Sequence, residues 1–442
     1  MWRSDTRTSW LLLWLSIVST GLSAPVGAQP VDFTQQSFST TLAQIEKADG
    51  WYDEVNYGAA SAGLRGKKYY LPDGINAGSY RIYMTLGAGT TYDDNIYRSA
   101  KERVADFETT GLASVDFISR FPRHLFDVHL AGKYVSYADQ EDFNTLDGSA
   151  LAEWRLDIDH GHALGGRVSS SYDHETRVSP EAPLLAREAV PVFKNAAEIA
   201  FTRDQGRLGA SAGLDFADLD YSDVEAFDGT RIDQDFRDKT SYGAYLRLNY
   251  RFSPGYKLLS SLRAGREIYH TPSAQLGNAT VYEGKLGLAF ELSPLWQANL
   301  SAGYGLADYD AIGERRFGAF VYDAQLQWLA SPILTMTLTA GQSIAETRFG
   351  SSGAILESRA ELLVEYEAMR NLMLRASAGY ERAEIGWDDR IDDTVIGKIG
   401  AEYTINKNLL FTMGYERQER YSSDPDYDMQ DNRYMVGLKY RF

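Results

Sequence analysis

The feature that most constrains this chain is a ladder of two-faced segments. From Tyr80 onward, stretches of roughly ten residues alternate apolar with polar or small side chains. That period-two pattern is the mark of strands with one apolar face. In the last segment Tyr434, Val436, Leu438, Tyr440 and Phe442 share one face, and Met435, Gly437, Lys439 and Arg441 the other. Leu334, Met336 and Leu338 oppose Thr335, Thr337 and Thr339, and Tyr242, Ala244, Leu246, Leu248 and Tyr250 oppose Gly243, Tyr245, Arg247, Asn249 and Arg251.

The punctuation between segments has its own period. Short turn signals centre on positions 122, 161, 205, 254, 294, 332, 370 and 407, spaced by 37 to 49 residues. One interval accommodates one hairpin, and longer acidic connections such as 173–191 and 217–240 lie between. Eight short turns separate nine hairpins, which predicts eighteen strands, with sixteen as the alternative count. Alternation of short turns with long loops is the layout of a transmembrane barrel, which spans the bilayer core with tilted strands of ~9–11 residues. The fold class expected is therefore all-β: an antiparallel up-and-down barrel.

A soluble sandwich also alternates, with its apolar face inward. Aromatic placement favours lipid instead. Phe290, Trp296, Trp328, Tyr366 and Phe442 sit beside short turns, whereas Tyr172, Tyr304, Tyr322 and Tyr380 sit nearer the long loops. Two rims of aromatic rings match the two headgroup zones of a bilayer.

Composition excludes other classes. The 442 residues include no Cys, which removes disulfide scaffolds, zinc ribbons and thiol enzymes. A net charge of −17 argues against sequence-independent nucleic-acid binding. The N-terminus carries Arg3 and Arg7, the apolar run Trp10–Val18, and small residues before Ala28. That is the pattern of a cleaved signal peptide at 1–28. Residues 29–79 form a pre-barrel periplasmic or plug segment with one short helix expected over 40–48, and 80–442 form the barrel.

The C-terminus, with Gly437, Tyr440 and a final aromatic Phe442, is similar to the signal read by the outer-membrane barrel insertion machinery. The stretch Gly78-Ser79-Tyr80 and Tyr92-Asp93-Asp94-Asn95-Ile96-Tyr97 resembles the entry strand of the putative β-barrel porin 2 family. Met84 stands where many members carry proline. The resemblance implies an outer-membrane location in a Gram-negative cell and a link to exopolysaccharide export. It further implies lipopolysaccharide, polysaccharide and periplasmic export components as partners. Asp93-Asp94-Asn95 also offers oxygens to a divalent cation, but Asp and Asn favour turns through bonds to their own backbone, and the turn is the stronger reading.

Alternation assigns Arg81, Arg120, Arg155, Arg167, Arg247, Arg251, Arg263, Arg375, Glu361 and Glu365 to the inner face, among nearly equal numbers of cationic and acidic side chains. They suit a polar track for a hydrophilic solute, and they equally suit any water-filled wall. Excess acid is assigned to solvated loops, in three clusters: Asp218 to Asp238; Asp388, Asp389, Asp392 and Asp393; and Asp424, Asp426, Asp428 and Asp431. None has calcium-loop spacing, so no metal and no cofactor is expected. Gly209-Ala-Ser211-Ala-Gly213 mimics a nucleophile elbow but lies inside a strand pattern, and no His has a catalytic neighbourhood, so no enzyme is expected. Three functions remain: an export channel, a general diffusion porin, and a surface-binding barrel without a through-channel.

Overall fold

The computed structural model describes residues 62, 70, 72–179, 181–271, 277–310, 316–346, 354–385 and 390–442. The signal-peptide assignment, the helix at 40–48 and the Asp388–Asp389 pair lie outside them. Eighteen long strands follow one another in chain order: β1 (Tyr80–Asp93), β2 (Asp106–Ser119), β3 (His124–Tyr137), β4 (Thr145–Asp157), β5 (His162–His174), β6 (Pro191–Gln205), β7 (Leu208–Tyr221), β8 (Lys239–Ser253) and β9 (Tyr256–Tyr269). Then come β10 (Ala279–Ser293), β11 (Trp296–Tyr309), β12 (Arg316–Ser331), β13 (Leu334–Glu346), β14 (Ala354–Met369), β15 (Leu372–Ile385), β16 (Arg390–Thr404), β17 (Leu409–Ser422) and β18 (Met429–Arg441).

Each strand pairs antiparallel with the next, and β18 returns to β1 in a register running from Thr85↔Arg441 to Asp93↔Arg433. The sheet is closed, so it has no open edge to satisfy. The eighteen-strand reading holds and the sixteen-strand alternative falls. All eight short turns fall where the period placed them. A short strand, Ile75–Ala77, pairs with the start of β1, so the sheet begins a few residues before Tyr80.

The burial pattern is that of a barrel in lipid. In β18, Tyr434, Val436, Leu438 and Tyr440 are 43–54% exposed, whereas Asp431, Lys439 and Arg441 are 1–6% exposed. Apolar side chains outside and charges inside invert a soluble sandwich, and lipid tails remove the cost of the exposed apolar face. Rings cluster at two heights on that face. Tyr80–Phe121, Phe252–Tyr256, Trp296–Trp328 and Tyr440–Phe442 lie at the short-turn end. Tyr92–Phe107, Phe216–Tyr242 and Tyr415–Tyr434 lie toward the long loops. No helix of the described residues is long and apolar enough to cross a membrane.

The strands, at 13–16 residues, exceed the 9–11 that the bilayer core requires. The excess runs beyond the core at the long-loop end. It moves three acids assigned to loops: Asp392 and Asp393 lie in β16, and Asp431 in β18. Asp218 and Asp220 likewise lie in β7.

Candidate functional site

The inner face is a wall of paired ions, because a carboxylate turned away from bulk water must find a cation or donor. Arg263 of β9 makes a two-pronged contact with Asp215 of β7 at 2.7 and 2.8 Å, over the bare Gly243 of β8 that lies between them. A Cβ at Gly243 would lie 2.4 Å from the Asp215 carboxylate, so the close approach requires glycine. Arg167 pairs with Glu198 at 2.9 Å, and Arg155 with Asp157 at 2.7 Å. Arg375 sits between Glu365 at 3.4 Å and Glu402 at 3.1 Å, joining β14, β15 and β16. Lys398 pairs with Glu416 at 3.3 Å. Arg247 stacks on the Tyr245 ring at 4.3 Å, and Arg251 approaches Asp204 at 4.0 Å. Glu361 occupies the same face of β14 as Glu365, opposite Gly379 of β15.

Arg120 departs from its assignment to the inner face. It follows the last residue of β2 in a short turn, is exposed, and donates to Asn76 Oδ1 at 3.1 Å. Arg81 donates to the same oxygen at 3.4 Å. Both therefore tie the short strand Ile75–Ala77 to the short-turn rim. Further pre-barrel residues reach that rim: Asp73 contacts Lys407, Arg441 donates to the Tyr70 carbonyl at 3.3 Å, and the Ala62 N–H donates to Thr335 Oγ1 at 2.8 Å.

The Asp93-Asp94-Asn95 segment is a turn. The Asn95 N–H donates to Asp93 Oδ1 at 2.8 Å, the local bond that makes Asp a turn former. A guanidinium bridges Asp93 and the neighbouring Asp431. Arg98 pairs with Asp93 at 3.0 Å and with Asp431 of β18 at 2.8 Å, from a left-handed backbone at φ 55°. Non-glycine residues seldom hold that conformation, and here the two carboxylates fix it. Tyr92 lies outward against Phe107 at 5.1 Å. Asp94 and Asn95 bond across the closing seam, Asn95 Nδ2 donating to the Gln430 carbonyl at 2.8 Å. At the C-terminus, the Phe442 N–H donates to the Met84 carbonyl at 2.9 Å, and Gly437 pairs with Gly89.

Asp392, Asp393 and Asp431, moved out of the loops, each have an arginine partner. Asp392 pairs with Arg390 at 2.6 Å and lies 3.9 Å from Arg420, all three nearly fully buried. These arginines sit in the outer strand extensions, where inner-face parity was available as a signal once the strands were allowed their full length.

Loop 175–190 holds buried charged and polar residues that sequence alone did not single out. Ala186 and Val190 pack on Ala196, Ala217, Leu219 and Tyr221, which are inner-face residues of β6 and β7. The loop therefore turns into the barrel. Its Ser179 and Glu181 are 3% and 5% exposed. Arg237, from the 222–238 loop, lies 4.0 Å over the Tyr221 ring and pairs with Glu175 at 2.7 Å and Glu181 at 3.5 Å. Burial acts against the Arg237 charge, but Glu181 and Glu175 outweigh it and hold the guanidinium above its usual range. Arg177 lies over Phe143 at 4.6 Å and Tyr97 at 5.6 Å, and burial pulls its pKa down to about 10. Guanidinium-to-aromatic contacts of this kind leave no sequence period, which is why only the fold reveals them.

A family model described as putative beta-barrel porin 2 matches residues 68–442. No curated protein matches the chain. Among solved structures, the outer membrane protein opdK of Pseudomonas aeruginosa is 12% identical, with 82% of this chain and 99% of that chain covered and a TM-score of 0.43. OccAB4 of Acinetobacter baumannii is 11% identical over 82% and 98%, with a TM-score of 0.43. A BenF-like porin from Pseudomonas fluorescens Pf-5 is 11% identical over 84% and 100%, with a TM-score of 0.45.

Proposed function

The chain belongs to the putative beta-barrel porin 2 family, and on that premise we propose that it is an outer-membrane channel for a hydrophilic solute. The observation that carries this reading is a closed eighteen-strand barrel whose inner face is lined by ion pairs and whose outer face is apolar. Barrels of 16–18 strands leave an aqueous bore where smaller ones fill with side chains. Short turns face the periplasm and long loops the exterior, and lipopolysaccharide surrounds the aromatic rim on the loop side. The C-terminal Tyr440–Phe442 pair serves the insertion machinery. The candidate inner-face residues, Arg167, Arg247, Arg263 and Arg375 among them, form the solute's polar path.

The finer proposal is export of an exopolysaccharide, with polysaccharide and periplasmic export components as partners. It rests on the family link alone. Its test is a deletion strain, scored for surface polysaccharide and for small-solute uptake. Lost polysaccharide with intact uptake supports export. Intact polysaccharide with slowed uptake replaces it with a diffusion porin, the second reading. Unchanged uptake and unchanged polysaccharide would leave only the surface-binding barrel.

A further inference from the structure

Three described contacts of the pre-barrel segment lie on one side of the short-turn mouth. The Ala62 N–H donates to Thr335 Oγ1 of β13, the Tyr70 carbonyl accepts from Arg441 of β18, and Asp73 meets Lys407 in the turn between β16 and β17. β13 and β18 stand five strands apart in the ring of eighteen. Strands at ~4.8 Å spacing and ~40° tilt enclose a barrel roughly 35 Å across, in which five strands subtend roughly 25 Å. The chain from Ala62 to Tyr70 reaches at most ~27 Å at ~3.3 Å per residue, enough for that arc and too little for a path round the opposite wall.

The wall in and beside that arc is buried. Leu329 of β12, Thr335 of β13, Met373 of β15, Thr404 of β16 and Leu410 of β17 take inner-face positions beside short turns, and each is at most 2% exposed. Leucine and methionine on the wet face of a mouth would cost free energy if water met them, and the long loops lie at the other end of the strands. The opposite half of the same mouth, centred on β6, is open. There the Arg155 side chain is 50% exposed and that of Asp204 38%, and Arg207 is exposed. Charge also matches the segment to the buried half. The inner face of the arc carries Glu365, Glu367 and Glu402, with Arg375 between the first and the last. The chain between Ala62 and Tyr70 carries Arg65, Lys67 and Lys68, and the residues before it include Phe33, Phe38, Leu42, Ile45 and Trp51.

We propose that the pre-barrel segment 29–71 docks on this arc, its apolar residues on Leu329, Met373 and Leu410 and its Arg65, Lys67 and Lys68 against Glu365, Glu367 and Glu402. It covers one half of the mouth and leaves the half lined by Arg155, Asp204 and Arg207 as the way in for solute. The docking stands on the contacts and burial alone; the assignment of the open half to solute rests on the channel reading above.

The chain has no native cysteine, so an introduced thiol reports its own position. Full-length variants, shown to be folded by heat-modifiable migration on gels, are treated with a charged, water-soluble maleimide. Met373→Cys and Leu410→Cys should react roughly tenfold or more slowly than Arg155→Cys and Arg207→Cys. Adding Arg65→Glu, Lys67→Glu and Lys68→Glu should bring Met373→Cys up to the Arg155→Cys rate. Ala62→Cys with Thr335→Cys should close a disulfide on mild oxidation, and Ala62→Cys with Arg155→Cys should not. Because Met373 and Leu410 lie on different strands, failure of one variant to fold leaves the other to decide. Labelling of Met373→Cys and Leu410→Cys at the Arg155→Cys rate overturns the docking. So does protection that survives the charge reversal without a 62–335 disulfide, since the wall alone would then bury them. In planar bilayers, a bulky maleimide on Arg207→Cys should reduce the single-channel conductance. Unaltered conductance of the labelled variant overturns the assignment of the open half. A wild type that does not conduct overturns the channel reading, while the labelling pattern still decides the docking.

Discussion

Asp94, at the exit of the first barrel strand, holds Asn432 of the last strand through two hydrogen bonds: one from the Asn432 N–H at 2.7 Å and one from its Nδ2 at 2.6 Å. These contacts span 338 residues of sequence and lie on the seam where the sheet closes. Asp94→Ala removes both acceptors and leaves two donors without partners, at a cost of ~1–3 kcal/mol. The urea midpoint of the folded, heat-modifiable form should fall accordingly. Asp426→Asn is the control, because its ion pair with Lys101 is 71–77% exposed and contributes little. An equal effect from both changes would deny the seam its special weight.

Arg375 is the shared partner of Glu365 and Glu402 on three successive strands. Arg375→Met leaves two carboxylates without their cation in a buried setting and should destabilise the folded barrel by ~3–5 kcal/mol. Adding Glu365→Leu and Glu402→Leu should restore most of that loss, since an apolar replacement of all three has no uncompensated charge. Equilibrium unfolding in detergent micelles measures both steps.

Asp238 lies between the 222–238 loop and β8, where its Oδ1 accepts the Tyr221 N–H at 2.7 Å. Burial, with Asp220 and Asp235 nearby, raises its pKa to about 6 despite that bond and His270. The raised value means the folded loop holds a proton that the unfolded chain has released. Loop stability should therefore fall as pH rises from about 4 to about 6, and remain lower above that. Asp238→Asn keeps an acceptor and removes the charge. Limited proteolysis within 222–238 should be slower in the variant at pH 7, and its dependence on pH between 4 and 6 should flatten.

Arg177 gathers Tyr97, Phe143 and Phe227, which come from three different long loops. Arg177→Ala removes cation–π contacts with all three, each worth ~0.5–2 kcal/mol. Amide exchange should accelerate together in residues 94–105, 138–144 and 222–229, with the strands below unaffected. Exchange confined to loop 175–190 would contradict a shared cap.

The barrel was legible because its two determinants are local. Period two in a segment such as Tyr434–Phe442 decides which side chains meet lipid, and turn spacing decides strand number. The wall was legible to the same degree: parity alone places Arg263, Arg375 and Glu365 on one face. Parity does not tell where a strand stops, so Asp392 and Asp431 read as loop acids although each meets an arginine inside the sheet extension. Nor does it describe a loop that folds back. Glu181 and Arg237 are separated by the whole of β6 and β7, and only tertiary packing brings them within 3.5 Å. The turn at Asp93-Asp94-Asn95 was visible, while Arg98 as its counter-ion depended on a left-handed backbone that no arginine predicts.

The central claim is that the ion-lined interior is a continuous aqueous path. Single-channel recording of the purified protein in planar bilayers tests it most directly, alongside a form lacking residues 29–79. Stepwise conductance from the full chain, retained or enlarged on removal of that segment, is the predicted result. Bilayers that stay electrically silent with both forms, when gels show folded and inserted barrel, would contradict it.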